Sequence, residues 1–437
     1  MKIKKLVISL LVVIGIVFSV SGCDRDSASD NRITLRVANW EEYIDESMVD
    51  EFEKWYENTY GKKIKVEYST FGTNEDLYNQ MSIGDVFDLA CPSEYMIMKL
   101  MNEDKVLPYS EEFFDTDNKE NYYARCLSPY IEQRLKEFTL EDKSVGSYAA
   151  GYMWGTLGFV YNPKEVSQEE VQNWDFLLNS KYNKRITIKD SIRDCYFVAM
   201  GMITADEVRR PSFVNSSDYS QKLSEKLNDT SDNKIDKVRD ILTNVKDNVY
   251  SFETDSGKSD LVSGKVVANL QWSGDAVYSI DQAKEDGVEL KYAVPEESTN
   301  MWFDGWCLLK DGIGKDKEKK QAAEAFVNFV SRPENAVRNM EYIGYTSVIS
   351  GGEDDTVYSY IEDCYGDDAG SVTYDLGYFF GDDKHKLKTT SEQAEGELFA
   401  QYPTEEVIRR SVVMACFNED VNQKINRMWI DIRCFNF

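Results

Sequence analysis

The chain has 437 residues, and its 50 Lys+Arg against 78 Asp+Glu give a formal charge of −28 with the single histidine neutral. That balance excludes a nucleic-acid binder working through a basic face. A hydrophobic fraction of 42%, with 13% aromatic residues, excludes a disordered acidic tail. The lone His385, in Gly-Asp-Asp-Lys-His-Lys, reads as a solvated loop residue and leaves almost no material for Ser-His-Asp or Cys-His nucleophilic sites or His-rich zinc sites. At roughly 150 residues per domain, the length fits two or three domains, and two is the working count.

Lys2, Lys4 and Lys5 precede the uncharged, largely apolar run Leu6 to Val20, which ends at Ser21-Gly22-Cys23. Residues 1–22 therefore read as a signal peptide, since the apolar run falls short of the roughly 20 residues a spanning helix needs. Val20-Ser21-Gly22-Cys23 resembles the lipobox of bacterial lipoproteins, with Val20 in place of the usual leucine. The resemblance implies that Cys23 carries diacylglycerol and becomes the first residue of the mature chain. Residues 23–32 then form a flexible tether outside the cell. Removing residues 1–22 takes three lysines and no acid, which leaves the remainder at −31.

Along the remainder, Ile33–Asn39 and Lys63–Ser69 read as strands around a helix from Asp45 to Asn58, in which Met48, Val49, Phe52, Trp55 and Tyr56 recur at helical spacing. Thr73, with Asp76 three residues on, opens a short helix to Ile83, and Val86–Cys91 is a buried strand ended by Pro92. A Gly-rich stretch, Gly151–Gly158, precedes strand-like Phe159–Tyr161. Ile186–Lys189, Val266–Trp272 and Gly305–Leu309 read as strands, and Ile192–Thr204, Ile235–Val245 and Glu318–Val330 as helices, the last stopped by Pro333. The alternation predicts an α/β fold with largely parallel sheet.

Ser212–Lys237 and Glu353–Asp383, the latter with ten acidic residues, read as solvated insertions rather than metal sites, because neither contains a calcium-loop pattern. Seven cysteines follow Cys23 with no C-x-x-C spacing, so buried thiols are favoured over a disulfide framework; one bridge stays open. No cofactor is called for.

Three segments combine aromatic rings with acids: Asn39-Trp40-Glu41-Glu42-Tyr43, Trp272-Ser273-Gly274-Asp275 and Trp302-Phe303-Asp304. An alkyl polyamine is a multiply charged cation with apolar spacers at pH 7, because a primary ammonium titrates near 10.4. Indole and phenol faces suit both its charges and its methylenes, and carboxylates fix the ammonium ends.

Val37-Ala-Asn-Trp-Glu-Glu-Tyr43, Val66 to Glu75, Asp88 to Tyr95, Trp154-Gly155, Gln271-Trp-Ser-Gly274, Trp302-Phe-Asp304 and Ile343-Gly-Tyr-Thr346 together, in this order, resemble the spermidine/putrescine-binding protein of bacterial polyamine ATP-binding-cassette importers. The resemblance implies a two-lobed, periplasmic-binding-protein-like fold of type II, each lobe a mixed sheet flanked by helices, with the ligand cleft at the hinge. Residues 33–154 plus 302–353 would form one lobe, and 155–301 plus 354–437 the other. It also implies an aromatic box of Trp40, Tyr43, Tyr95, Trp272, Trp302 and Tyr345. Glu42, Asp194 and Asp304 would take ammonium groups, and Ser93 would offer a hydroxyl.

Two departures bear on the ligand: Ser191-Ile-Arg193-Asp194 stands where the family has an Asp-x-x-Glu pair, and a family glutamine aligns with Met414. Both leave room for a shorter diamine or another organic cation. The implied partners are a polyamine, a membrane permease with its ATPase, and a membrane reached through the lipid anchor, with the protein a monomer that touches no nucleic acid. Competing readings are a polyamine sensor docking on a membrane kinase and a secreted glycosidase, which needs only two carboxylates and stacking rings.

Overall fold

Ile33–Trp40 is aliphatic and β-branched along most of its length, and it pairs in parallel with Ile64–Phe71 on one side and Leu89–Ala90 on the other. Helix Ser47–Tyr60 links the first two strands, burying Met48, Val49, Phe52 and Tyr56, and Gly61 ends it in the left-handed conformation at φ 66°. The Thr73 hydroxyl accepts the Asp76 amide at 3.0 Å and opens helix Asn74–Ile83, as the capping pattern predicts. These are features of a computed structural model that describes residues 32–140, 142–254 and 256–434. The signal peptide, Cys23 and the tether up to residue 31 lie outside the described residues.

Three expectations about the strands and the sheet need correction. Val86–Cys91 contributes only Leu89–Ala90 to the ladder, because the Asp88 carboxylate takes up the Arg36 amide at 2.7 Å, one strand away. The Gly-rich stretch is no break before a strand: Ala149–Tyr161 is one strand of 13 residues, buried throughout. Its glycines mark close approach, since a Cβ on Gly155 would lie 2.5 Å from the Trp302 indole and one on Gly158 would lie 2.7 Å from the Tyr292 ring. The sheet is also mixed rather than largely parallel.

Its strands run in the spatial order 64–71, 33–40, 89–90, 299–309, 149–161, 268–272, 186–189, 251–253. The outer pairings are parallel and the three central ones antiparallel. Two long central strands, Ala149–Tyr161 and Thr299–Leu309, carry the two halves of the sheet. Ala149–Gly151 pairs with Gly305–Cys307 in one half, and Leu157–Tyr161 with Ala268–Trp272 in the other. The register of the long pair shifts between Asp304 and Gly305, a bulge that re-aims the strand at Asp304.

Buried side chains form two large clusters. The first is drawn from Leu35 to Trp154 and Met301 to Ile408, and the second mainly from Leu157 to Leu270 and Val412 to Ile432. A smaller cluster around Val160, Ala276 and Tyr292 backs the second. Both polar tracts fold rather than loop out. The first becomes helices packed through Tyr219, Leu223, Leu227 and Ile235, and the second becomes helix Thr356–Tyr365 and the hairpin Val372–Asp375 with Lys386–Thr389. From that acidic tract Val357, Ile361, Tyr365, Tyr374 and Phe379 enter the first cluster, with the acids left outside. His385 is not a fully solvated loop residue either: its ring stacks on Phe380 at 4.2 Å and its Nδ1 meets Asp382 at 2.8 Å.

All seven described cysteines are free thiols, and Cys91, Cys126, Cys195 and Cys307 are buried. Among the described residues no helix is long and apolar enough to cross a membrane, and no cluster of three or more His, Cys, Asp or Glu is arranged to hold a metal ion.

Trp306 lies wholly buried on the long strand, 5.2 Å from the Tyr152 ring and 5.6 Å from Phe326. Trp306→Ala is expected to lower the unfolding free energy by about 3–5 kcal/mol, measured by urea denaturation.

Candidate ligand cleft

The bulge at Asp304 sets the geometry of the site. Asp304 is 7% exposed, and the Tyr43 hydroxyl donates to its Oδ2 at 2.7 Å. Ser93 bridges it backbone to backbone from the start of helix Glu94–Asn102, and its hydroxyl also bonds the carboxylate. From Tyr43 the rings continue edge to face: Tyr43 to Tyr345 at 5.5 Å and Tyr345 to Trp302 at 5.4 Å. The Tyr345 hydroxyl donates to Asp275 Oδ1 at 3.1 Å. Glycines make this packing possible, because a Cβ on Gly274 would sit 2.3 Å from the Tyr345 ring.

Asp275 starts the other side of the network. Lys189, 1% exposed, pairs with its Oδ2 at 2.8 Å and stands 4.8 Å from the centre of the Trp272 ring. The Trp272 indole N–H donates to Asp194 Oδ2 at 3.2 Å, and Asp194 Oδ1 is buried without a hydrogen-bond partner. Beside Asp194 on the same helix, the Arg193 guanidinium covers the Phe417 ring at 3.9 Å and the Tyr95 ring at 5.0 Å. The Tyr95 hydroxyl accepts from Asn74 Nδ2 at 3.0 Å and donates to Glu75 at 3.2 Å. Asn74 also donates to the Ser93 hydroxyl at 3.1 Å, which brings the circuit back to Asp304.

Eight of the ten expected residues thus meet in one closed network: Tyr43, Ser93, Tyr95, Asp194, Trp272, Trp302, Asp304 and Tyr345. Trp40 and Glu42 stand apart from it. Trp40 packs on Phe71 at 4.8 Å with its indole N–H unpartnered, and Glu42 is exposed in a left-handed turn at φ 52°.

Sequence reasoning missed Asn74, Glu94, Lys189, Arg193 and Asp275 as members of the network. Glu94 and Asp275 lie inside the motifs that drew attention, whereas Lys189 shows only as a lysine ending a buried strand. Ser191, where an acid is absent, caps helix Ile192–Val208 by accepting the Asp194 amide at 3.3 Å. Met414 is packed in the second cluster.

The electrostatics follow from burial. Desolvation pushes Asp304 up to about 6 against the donors Tyr43 and Ser93. Glu94 is driven up to about 8, first by burial and then by the Asp304 charge. Burial also raises Asp194, although Ser191, Trp272, Lys189 and Arg193 all favour its ionised form. Burial opposes the charge of Asp275 too, yet Lys189 and Lys258 hold it below the usual carboxylate range. Burial thus opposes the charge of Asp304, Glu94 and Asp194, and most strongly that of Glu94, whereas Asp275 is held ionised by its lysines.

A family profile described as bacterial extracellular solute-binding protein matches residues 47–359. The chain belongs to this family. Among the relatives of this solute-binding protein, the spermidine/putrescine-binding periplasmic protein of Salmonella typhimurium is 25% identical over 326 residues, which cover 74% of this chain and 80% of the relative. The putrescine-binding periplasmic protein PotF of Escherichia coli is 23% identical over 327 residues, 72% of this chain and 77% of PotF.

Two solved structures share the architecture. The substrate-binding protein PotD of a spermidine/putrescine ABC transporter from Streptococcus pneumoniae superposes with TM-score 0.63 at 24% identity, covering 92% of this chain and 98% of PotD. The Tp0655 lipoprotein of Treponema pallidum superposes with TM-score 0.62 at 15% identity, covering 91% and 99%. The fold of this solute-binding protein is the two-lobed, type II binding-protein fold, with a mixed sheet flanked by helices.

Glu94 gives the empty protein a defined pH response. Its folded value of about 8 lies above the unfolded value near 4.3, so between those pH values the native state holds a proton that the unfolded chain has lost. Stability contributed by this group is present below the unfolded value and declines as pH rises toward 8. Asp304 acts in the same direction up to about 6. Glu94→Gln is expected to reduce the loss of stability between pH 5 and 8, by on the order of 3 kcal/mol, as read by urea denaturation across that range.

Proposed function

We propose that this protein captures a polyamine, putrescine or spermidine, between its two lobes and delivers it to the permease of an ATP-binding-cassette importer, without catalysis of its own. The observation that carries the reading is the pair of buried carboxylates, Asp304 and Asp194, joined by aromatic rings but contributed from the sides of different cores. A ligand with two separated ammonium groups can satisfy both acids and lay its methylenes on Trp302, Tyr345 and Trp272. A cation leaving water must find such partners. The relatives named for binding spermidine and putrescine support the same ligand class.

In this reading the lobes are the bodies built round the two cores, 33–154 with 302–353 and 155–301. The final stretch from 354, which the resemblance assigns to the second lobe, places Val357–Ile408 against the first core and Val412–Ile432 against the second. Ligand favours closure because it touches groups on both sides only when they are together. The ligand-binding residues are Tyr43, Ser93, Tyr95, Asp194, Trp272, Trp302, Asp304 and Tyr345, while Trp40 and Glu42, expected in the same set, stand apart from the network. The protein acts as a monomer, held at the outer face of the membrane by lipid on Cys23 after removal of residues 1–22. Cys23→Ala would release it into the medium, as immunoblotting of cell and medium fractions would show.

A second reading keeps the site and shortens the ligand. Ser191 serves as a helix cap and Met414 sits in the core, so neither adds a second acid or an amide at the Asp194 end. That favours a short diamine over a triamine. The family placement does not favour the glycosidase or the kinase-docked sensor.

Calorimetric titration with putrescine, spermidine, arginine and choline tests the function, run at about 0.15 M salt and again at higher salt, because a surface at −31 after removal of residues 1–22 attracts any polycation diffusely and salt screens that attraction. One-site binding of a polyamine that survives the salt is expected. Asp304→Asn should weaken it by tenfold or more, about 1.4 kcal/mol, if the ammonium pairs there. Unchanged affinity would remove Asp304 from the site, and equal, salt-sensitive binding of every cation would refute the polyamine reading.

A further inference from the structure

We propose that Glu94 is a third carboxylate of the ligand site, sharing a proton with Asp304 in the empty cleft and releasing it when a terminal ammonium of the ligand enters. The inference rests on the reading of the cleft as an amine site and adds to it an exchange of one proton for one cation.

Glu94 is 1% exposed, and its carboxylate accepts one long bond from the Phe303 amide at 3.4 Å. Phe303 adjoins Asp304, and Ser93, which precedes Glu94, bridges Asp304 backbone to backbone, so the two acids come from paired backbone segments at the Asp304 end of the network. It opens helix Glu94–Asn102, whose N-terminal dipole favours a negative charge once a partner is present. The charged and titratable groups that face it are Asp304 from the long strand, Arg193 from helix Ile192–Val208, and Tyr95 beside it. Asp304 in turn faces Tyr43, Ser93 and Cys91.

Two carboxylates that share a desolvated space with a single guanidinium do not both ionise. Asp304 has two hydroxyl donors, Tyr43 and Ser93, whereas Glu94 has only backbone donors, so the negative charge stays on Asp304 and the proton on Glu94. The higher folded value of Glu94, about 8 against about 6 for Asp304, agrees with that division.

The empty row is then Asp304 minus, Glu94 neutral and Arg193 plus. When an ammonium arrives, the Glu94 O–H bond breaks, its electron pair stays on the carboxylate and the proton passes to solvent. The new charges alternate as Asp304 minus, ligand plus, Glu94 minus and Arg193 plus. The amine keeps its own protons, because its value near 10.4 lies well above the working pH.

The test is calorimetric titration of the full chain with putrescine at pH 7 in two buffers of different ionisation enthalpy, with the apparent affinity also measured at pH 6.5 and 7.5. Close to one proton released per putrescine is expected, with an affinity that rises about tenfold over that pH unit. Glu94→Gln should release almost none and bind with nearly pH-independent affinity. The proton count is read on the unaltered protein, so a variant that folds poorly does not remove the test. One-site binding with no proton release overturns the role of Glu94 while leaving the amine reading intact, as does a Glu94→Gln protein with an unchanged proton count. Failure of every polyamine to bind overturns both.

Discussion

Buried negative charge is the constraint on which the rest of the structure depends. Asp304, Glu94, Asp194 and Asp275 are all nearly excluded from water within one network. An ionised carboxylate in such surroundings must be paired, hydrogen-bonded or neutralised. Asp275 has Lys189 and Lys258, which is why it alone of the four is held below the usual carboxylate range. The other three are raised by burial despite their donors. In the proposed function that imbalance suits the site to cations, because a neutral or anionic solute leaves the same acids uncompensated.

The architecture supplies this arrangement with few special devices. Two long strands run from one half of the sheet into the other, and the bulge in one of them turns Asp304 toward Tyr43 and Ser93. Glycines at 155 and 274 let indole and phenol rings lie directly against the backbone, so aromatic walls form without widening the cleft. Tyr345 touches both groups of residues, through its ring to Tyr43 and Trp302 and through its hydroxyl to Asp275. Movement of either half relative to the other must therefore break or remake polar contacts as well as apolar ones, and a ligand that adds ammonium groups to the network biases that equilibrium.

Much of this was legible in the sequence, and the remainder was hidden for physical reasons. The helix faces of Met48, Val49, Phe52 and Tyr56 and the Thr73 cap follow from local spacing alone. The Gly151–Gly158 strand was not legible as one, because a strand covered on both faces loses the alternation that betrays it. The acidic tract from Glu353 looked solvated because its buried Val357, Ile361 and Phe379 are diluted among charges. In the site, the aromatic and acidic segments announced themselves by composition. The Lys189–Asp275 pair joins residues 86 apart, so no local signal exists for it. Glu94 stood between two expected residues, yet a residue at the junction of loop and helix has no periodicity to say which way it faces.

In the proposed function, amine nitrogen fills the charge deficit left by the buried acids. A crystal structure of the protein grown with putrescine or spermidine tests it most directly. One terminal nitrogen is expected within hydrogen-bond distance of Asp304 and Glu94, with a methylene chain against Trp302 and Tyr345 and a second nitrogen near the unpartnered oxygen of Asp194. A polyamine bound away from these carboxylates, with Asp304 still held only by Tyr43 and Ser93, would contradict it.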